Sequence, residues 1–156
     1  MKAQRSRRTS HPLKILIAVV STCISALSFA GPTQLITEEE ARLPRAPISA
    51  SRSAFFPGPE INIIYPKPGE AVKNPFRIKL EYRAKGGARV NPESIEMQYM
   101  VSPSQDISSR VVQFSTDQAL EIRDAITPPG EHQFVVYVAD SKGHRSRAIL
   151  NLNVLK

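Results

Sequence analysis

GEHQFVVYVAD, residues 130–140, followed by SKG and then HRSRAILNLNV, residues 144–154, is the stretch that decides the fold. In an extended first arm, Phe134, Val136 and Val138 lie on one side and Val135 and Tyr137 on the other, so both sides are apolar. The second arm alternates between an apolar and a mainly polar set: Ala148, Leu150, Leu152, Val154 against Ile149, Asn151, Asn153. This pattern predicts a β-hairpin in which a central strand pairs with a strand that has one buried side.

Short alternating runs separated by turn residues recur through residues 59–156. The clearest run has four inward-facing residues separated by charged ones: Phe76, Ile78, Leu80, Tyr82. Two further inward sets are predicted, one with Ile61, Ile63, Tyr65 and one with Ile95, Met97, Tyr99, Val101, and weaker strands are predicted at 111–114 and 119–122. Parallel pairing is disfavoured because its crossovers need a dozen or more residues. The sequence therefore predicts an all-β domain, an antiparallel β-sandwich of about seven strands over 59–156, with no helix.

Residues 1–30 have the composition of a secretory signal peptide. Five basic residues precede a largely apolar run from Ile15 to Phe29, and Ser28-Phe29-Ala30 has the small-x-small form of a cleavage site before Gly31. A membrane anchor is the alternative, but about 20 apolar residues are needed to span a bilayer and this run is shorter and contains several hydroxyl residues. We therefore expect cleavage after residue 30 and a periplasmic or secreted protein.

Removal of this leader changes the charge balance. The chain has 21 Lys+Arg and 14 Asp+Glu, and the five basic residues of the leader leave 16 against 14, a net charge of +2. The remaining basic residues are interspersed with acidic ones, whereas nucleic-acid-binding domains have clustered Lys and Arg. We therefore expect no nucleic-acid partner. The single cysteine, Cys23, also lies in the leader, which excludes disulfides and thiol catalysis from the mature chain.

Residues 31–58 have the composition of a proline-rich linker, with prolines at positions 32, 44, 47 and 57. Within it, Thr37-Glu38-Glu39-Glu40 has the spacing of a helix capping box. We expect one short helix near 38–43, ended by Pro44, in an otherwise extended tether. A cation site at the three glutamates is disfavoured because oxygen-ligand sites need carboxylates that converge from a shaped loop.

Residues 59–156 resemble the immunoglobulin-like and fibronectin-type domains of exported bacterial proteins. The resemblance rests on PEINI at 59–63, PGEAV at 68–72, PFRI at 75–78, GEHQFVV at 130–136 and DSKG at 140–143. It implies an immunoglobulin-like β-sandwich, and with the 37–44 segment the chain is also similar to small exported proteobacterial proteins, a similarity that implies no activity. Where such domains usually have a corner tyrosine, this chain has His132, which we expect to donate a structural hydrogen bond to nearby backbone.

No metal or catalytic site is predicted. His132 and His144 begin opposite arms of the hairpin, roughly 23 Å apart at the rise of a strand, so they cannot share a metal ion. A resemblance to the periplasmic copper carriers would require a histidine at the new N-terminus, where Gly31 stands. Ser141 is close in sequence to His144, but we expect no buried acid to orient the pair. We therefore expect no catalytic, cofactor-binding or metal-ligating residues.

The remaining feature is an apolar surface. If Phe134, Val136 and Val138 are core, the opposite side of that strand faces outward and forms a candidate interaction patch: Met100, Val135, Tyr137, Ile149. An exposed apolar patch marks a site for a partner or for a segment folded over it. Two covers remain open. One is an external protein, and the other is the linker through its apolar residues: Leu35, Ile36, Leu43, Phe55, Phe56.

These observations predict a non-catalytic, exported protein-interaction module that docks an envelope protein through a sheet face or a strand edge. Membrane contact is expected only through the signal peptide before its cleavage. A carbohydrate-binding or cell-wall-binding module is the first alternative, although the chain has no Trp and Tyr137 is the one well-placed outward aromatic residue. A periplasmic metal carrier is the second alternative.

Overall fold

The computed structural model describes residues 31–46 and 58–156. The predicted signal peptide, 1–30, lies outside these ranges. The elements in chain order are β1 Thr33–Gln34, α1 Glu38–Ala41, β2 Glu60–Tyr65, β3 Ala71–Val72, β4 Phe76–Arg83, β5 Glu96–Tyr99, β6 Gln105–Asp106, α2 Ser108–Val111, β7 Ala119–Ile126, β8 Gly130–Ala139 and β9 Arg145–Val154, with 3₁₀ turns at Pro92–Ser94 and Val112–Phe114. None of the helices in the described ranges is long and apolar enough to cross a membrane.

The strands form two sheets that pack face to face. One sheet has the order β1-β7-β4-β2 and the other has the order β3-β9-β8-β5-β6. The predicted hairpin is confirmed, because β8 and β9 pair in one unbroken register from Gly130 opposite Val154 to Ala139 opposite Arg145. β8 also pairs with β5, so it is a central strand, as its two apolar sides require. The β-sandwich predicted from the alternation is therefore correct.

The core lies between the two sheets and is built from alternate residues of the long strands. In β4 the four residues predicted to face inward are all buried: Phe76, Ile78, Leu80, Tyr82. The facing sheet supplies Phe134, Val136 and Val138 from β8, which are at most 1% exposed, and β9 supplies Leu150 and Leu152. The charged residues between them face solvent, which is the consequence of a side-chain period of two on a sheet with one covered side.

Two short strand pairs are parallel, which the sequence argument disfavoured. β1 pairs with β7 through Thr33 opposite Ala125, and β3 pairs with β9 through Ala71 opposite Asn153. The argument about crossover length applies to strands that follow each other closely in the chain. Here about 80 or more residues separate the partners in each pair. The length restriction therefore does not act, and both sheets are mixed.

The segment predicted to be a tether is part of the domain over residues 31–46, so the linker prediction is wrong there. β1 adds an edge strand to β7, and the Leu35 N–H donates to the Ile126 carbonyl at 3.0 Å. Leu35 and Ile36 are both 0% exposed and belong to the same core as the long strands. The proline content correctly indicated a largely irregular backbone. Burial of two adjacent apolar side chains is nevertheless enough to hold this irregular segment against the domain.

The capping box is confirmed, and the helix that it begins ends earlier than predicted. The Thr37 hydroxyl accepts from the Glu40 N–H at 3.2 Å, and the Glu40 carboxylate accepts from the Thr37 N–H at 2.7 Å. α1 ends at Ala41, before Pro44. The same carboxylate forms a two-pronged ion pair with Arg110 at 2.8 Å for each contact, and the Arg110 guanidinium also donates to the Leu35 carbonyl at 2.6 Å. One arginine therefore connects the N-terminal segment to the region of α2.

This ion pair makes the stability of the fold depend on pH. The hydrogen bonds from Arg110 hold the pKa of Glu40 below its ordinary value of 4.5, against the opposing effect of burial. A lowered folded pKa gives a stabilisation that is complete above about pH 5 and is lost as the pH falls through the folded pKa. Glu40→Gln should therefore lower the free energy of unfolding by about 1 to 3 kcal/mol at pH 7, and this difference from wild type should shrink at pH 3.

Urea melts of both proteins at the two pH values measure this difference. Glu38→Gln is the matched control, because Glu38 lies in the same helical turn but is exposed and has no ion pair in the described part of the chain. It should change stability by less than about 0.5 kcal/mol. An equal loss for Glu40→Gln at pH 3 and pH 7 would show that the carboxylate charge contributes nothing.

The weak strand predicted at 111–114 is wrong, because the chain there is helical. α2 ends at Val111 and a 3₁₀ turn follows over Val112–Phe114. Ile107 and Val111 are both 0% exposed. They are four residues apart, the spacing that places two side chains on one face of a helix. The Val-Val pair has a high β propensity, but the burial of this helical face overrides it.

Tyr65 was predicted to face inward with Ile61 and Ile63, and this prediction is wrong for Tyr65. Ile63 lies opposite Leu80 on β4, but a bulge shifts the register so that Tyr65 lies opposite Lys79. An extra residue in one strand reverses the side to which the following side chain points. Tyr65 is consequently 40% exposed, with the guanidinium of Arg77 5.0 Å from the centre of its ring.

Candidate protein-binding face

The side of β5, β8 and β9 that points away from the core forms one surface, which we call the outer face. Strand register arranges it in three rows: Glu96, Tyr137, Arg147, then Gln98, Val135, Ile149, then Met100, Gln133, Asn151. The third row follows from the Met100 N–H, which donates to the Gln133 carbonyl at 2.9 Å. Because the register is continuous, the positions of these side chains relative to one another are set by the sheet itself.

The structure brings all four residues of the predicted patch onto the outer face. Ile149 is 38% exposed, and Met100 and Tyr137 are partly exposed. Val135 differs, because it is only 3% exposed although it lies outside the main core cluster. The prediction of an exposed side chain is therefore wrong for Val135. It lies in the centre of the face, directly opposite Ile149, with a glutamine on its other side.

A cluster of charged and aromatic side chains holds Tyr137 in place. The Arg145 guanidinium lies 5.0 Å from the centre of the Tyr137 ring, and its Nη2 donates to the Glu96 carboxylate at 2.7 Å. A cation over the face of an aromatic ring is attracted by the ring quadrupole. Sequence reasoning missed Arg145 and Glu96. Arg145 on β9 lies diagonally across from Tyr137 on β8, and Glu96 on β5 lies directly opposite it, so both are recognised as its neighbours only when the strand register is known.

The linker residues proposed to cover this face do not act together. Leu35 and Ile36 are buried in the core between the sheets, and Leu43 packs partly against that core. They therefore do not cover the outer face, and this part of the prediction is wrong. Phe55 and Phe56, the other two residues, lie outside the described ranges.

His132 has the structural role predicted from its position. It is 6% exposed, its Nε2 lies 2.8 Å from the Pro128 carbonyl, and its Nδ1 lies 2.9 Å from the Tyr99 hydroxyl. A carbonyl can only accept, so the proton belongs on Nε2, and Nδ1 accepts from the tyrosine. Burial lowers the pKa of His132, so the neutral ring is favoured. Both ring nitrogens are therefore occupied by hydrogen bonds within the protein.

The hairpin turn contains a buried acid, contrary to the expectation for Ser141 and His144. Asp140 is 5% exposed and accepts from the N–H groups of Lys142 and His144 at 2.8 and 3.0 Å, and its other oxygen lies 3.2 Å from Nδ1 of His144. Burial raises the pKa of Asp140, but these hydrogen bonds outweigh it and the pKa lies below its ordinary value. The Ser141 hydroxyl accepts from the Arg89 N–H at 3.2 Å. The acid therefore closes the turn.

No group of three or more His, Cys, Asp or Glu side chains that could hold a metal ion occurs within residues 31–46 and 58–156. His132 and His144 lie at opposite ends of the hairpin, as the sequence predicted.

The solved structures that are similar to this chain include the following two. One is a set of fibronectin(III)-like modules of CbhA from Clostridium thermocellum, with 15% identity, a TM-score of 0.38, and coverage of 61% of this chain and 45% of that chain. The other is CopC from Methylosinus trichosporium OB3b, with 14% identity, a TM-score of 0.38, and coverage of 62% and 94%. The chain thus spans less than half of the CbhA structure. No protein-family model and no curated protein matches the chain.

Proposed function

We propose that this protein is a non-catalytic, exported module that binds an envelope protein through the outer face of its five-stranded sheet. One observation carries the proposal: the partly exposed Met100, Tyr137 and Ile149 share one rigid face with an arginine that is already held over the tyrosine ring. Tyrosine, arginine and methionine are enriched at protein interfaces, and a few such anchors supply most of the binding energy.

The order of the Tyr137 cluster favours binding. Arg145 is restrained on one side by the Glu96 carboxylate and on the other by the ring. A side chain that is already ordered loses less conformational entropy when a partner covers it. The partner that fits is a protein surface with an apolar side chain to lie beside Ile149, within a rim of the polar residues that border the face.

We expect Tyr137→Ser to weaken binding by about 30-fold or more, corresponding to the loss of an anchor worth about 2 kcal/mol. The immobilised protein is used to capture partners from an envelope extract, and the bound protein is then purified and titrated against each variant. Urea melts of the variants show whether the domain remains folded.

Tyr65→Ser is the matched control for this substitution. Tyr65 is also an exposed tyrosine with an arginine 5.0 Å from its ring centre, but it lies on the other sheet. It should leave binding unchanged. Equal weakening by the two variants, or none by Tyr137→Ser, would contradict binding at the outer face.

Export to the periplasm or the medium is part of the proposal and is supported by residues 1–30. Their basic start, short apolar run and Ser28-Phe29-Ala30 site match a cleaved secretory signal. Intact-mass measurement of the protein recovered from its native host should give a chain that begins at Gly31. Recovery of a membrane-bound form that retains residues 1–30 would contradict export by this signal.

A further inference from the structure

A cleft of about 270 Å³ opens at the end of the outer face that is farthest from the hairpin turn. Its base is formed by the paired ends of β8 and β9, where Glu131 lies opposite Asn153 and Gln133 lies opposite Asn151. Arg45, next to the end of β5, borders one side, and the turn at residues 69–70 before β3 borders the other. The cleft therefore lies between the Arg45 segment and this turn, with outer-face side chains of β8 and β9 at its base.

The base of the cleft presents amide groups with unused hydrogen-bonding capacity. Gln133 Nε2 donates to Asn151 Oδ1 at 2.8 Å, which leaves Gln133 Oε1 and the Asn151 NH₂ group available. The exposed Asn153 side chain makes no hydrogen bond to the described part of the chain. Each amide both donates and accepts. The base therefore offers donors and acceptors side by side.

The charges of the cleft disfavour a strongly anionic ligand. Arg45 Nη1 donates to Glu131 Oε2 at 2.9 Å, so its charge is already balanced. Glu70, on the opposite border, adds a second carboxylate and accepts from the Lys67 N–H at 2.9 Å. The remaining carboxylate oxygens can accept from neutral O–H groups. An uncharged ligand with many hydroxyl groups fits this set of partners.

We propose that this cleft binds a saccharide of one to three sugar residues. Neighbouring hydroxyl groups on a sugar ring both donate and accept, so they match the alternating amides and carboxylates, and Met100 offers an apolar surface to the C–H groups of the ring. A peptide is less suitable, because extended peptides add to the edge of a sheet, and this cleft lies on side chains of a sheet face. The site shares Met100, Gln133 and Asn151 with the outer face, but the proposal goes beyond protein binding and does not depend on it.

Side-chain amide signals in ¹⁵N NMR spectra test the site directly. Chitotriose, maltotriose and, separately, trialanine are titrated into the purified protein up to about 10 mM. We expect at least one of the two saccharides to shift the NH₂ signals of Gln133, Asn151 and Asn153 in a saturable way. Asn151→Ala combined with Asn153→Ala should weaken this binding by at least 10-fold. Gln118→Ala removes an exposed amide just before β7, outside the cleft, and should leave it unchanged.

Each outcome of this titration either supports or overturns the proposal. Saturable shifts that are confined to the cleft amides and lost in the double variant support the proposal. The absence of shifts with both saccharides overturns it, as do shifts that persist in the double variant. Shifts with trialanine alone would assign the cleft to peptides and overturn it as well. Backbone spectra of the double variant that match wild type away from the cleft confirm that these two exposed positions are replaced without loss of the fold.

Discussion

Leu80→Ala will lower the free energy of unfolding by about 2 to 5 kcal/mol. Leu80 is 0% exposed and lies in the middle of β4, opposite Ile63 on β2 and Leu120 on β7. Truncation removes apolar contacts and leaves a cavity that β4 cannot close, because its backbone is held by hydrogen bonds to β2 on one side and to β7 on the other. Urea denaturation followed by circular dichroism measures the loss.

The neighbouring residue provides the control. Lys79 points to the opposite side of β4 and pairs with Glu81 at 2.6 Å in a solvent-accessible position. Lys79→Ala should therefore cost less than about 1 kcal/mol, because surface ion pairs contribute little. Similar losses for the two variants would mean that the core does not lie on the Leu80 side of the strand.

Leu35→Ala will also cost about 2 to 5 kcal/mol, although Leu35 lies in a segment with the composition of a linker. Its side chain is 0% exposed, and its backbone is fixed from both sides, by its N–H to Ile126 and by its carbonyl to Arg110. A loss of this size is expected only if the N-terminal segment folds as part of the same core. The same urea melts measure it, and a single transition should be retained.

Arg42→Ala is the control within that segment. Arg42 follows α1, is exposed, and should change stability by less than about 0.5 kcal/mol on replacement. If Leu35→Ala and Arg42→Ala both leave the midpoint unchanged, residues 31–46 contribute nothing to the stability of the sandwich. The extended tether predicted from composition would then be the better description.

The sequence alone determined those elements whose signal is local. The hairpin of β8 and β9 and the facing of β4 follow from a side-chain period of two, which any half-buried strand must show. The start of α1 follows from the Thr37 and Glu40 spacing, because both partners of the capping box lie within one turn. The outward direction of Tyr137 was predictable from the side-chain period of two, once the opposite side of its strand was assigned to the core.

Only the tertiary structure decided the features that depend on partners distant in the chain. Leu35 is buried because β7, some 90 residues later, provides an edge with which its segment pairs. This pairing brings the Leu35 side chain into the core between the two sheets. The reversal of Tyr65 depends on a bulge, which is set by register with β4 and has no signal in a six-residue strand.

The candidate sites depend most strongly on the tertiary structure. The Glu96, Tyr137 and Arg145 cluster and the amide-lined cleft are each assembled from different strands. None of their residues belongs to a local sequence motif that would mark it as part of a site. The period of two specifies which side chains of a strand point inward, and the capping box specifies where the helix begins. The candidate sites depend instead on which side chains of different strands become neighbours. That placement is set by long-range pairing, which a local pattern does not encode.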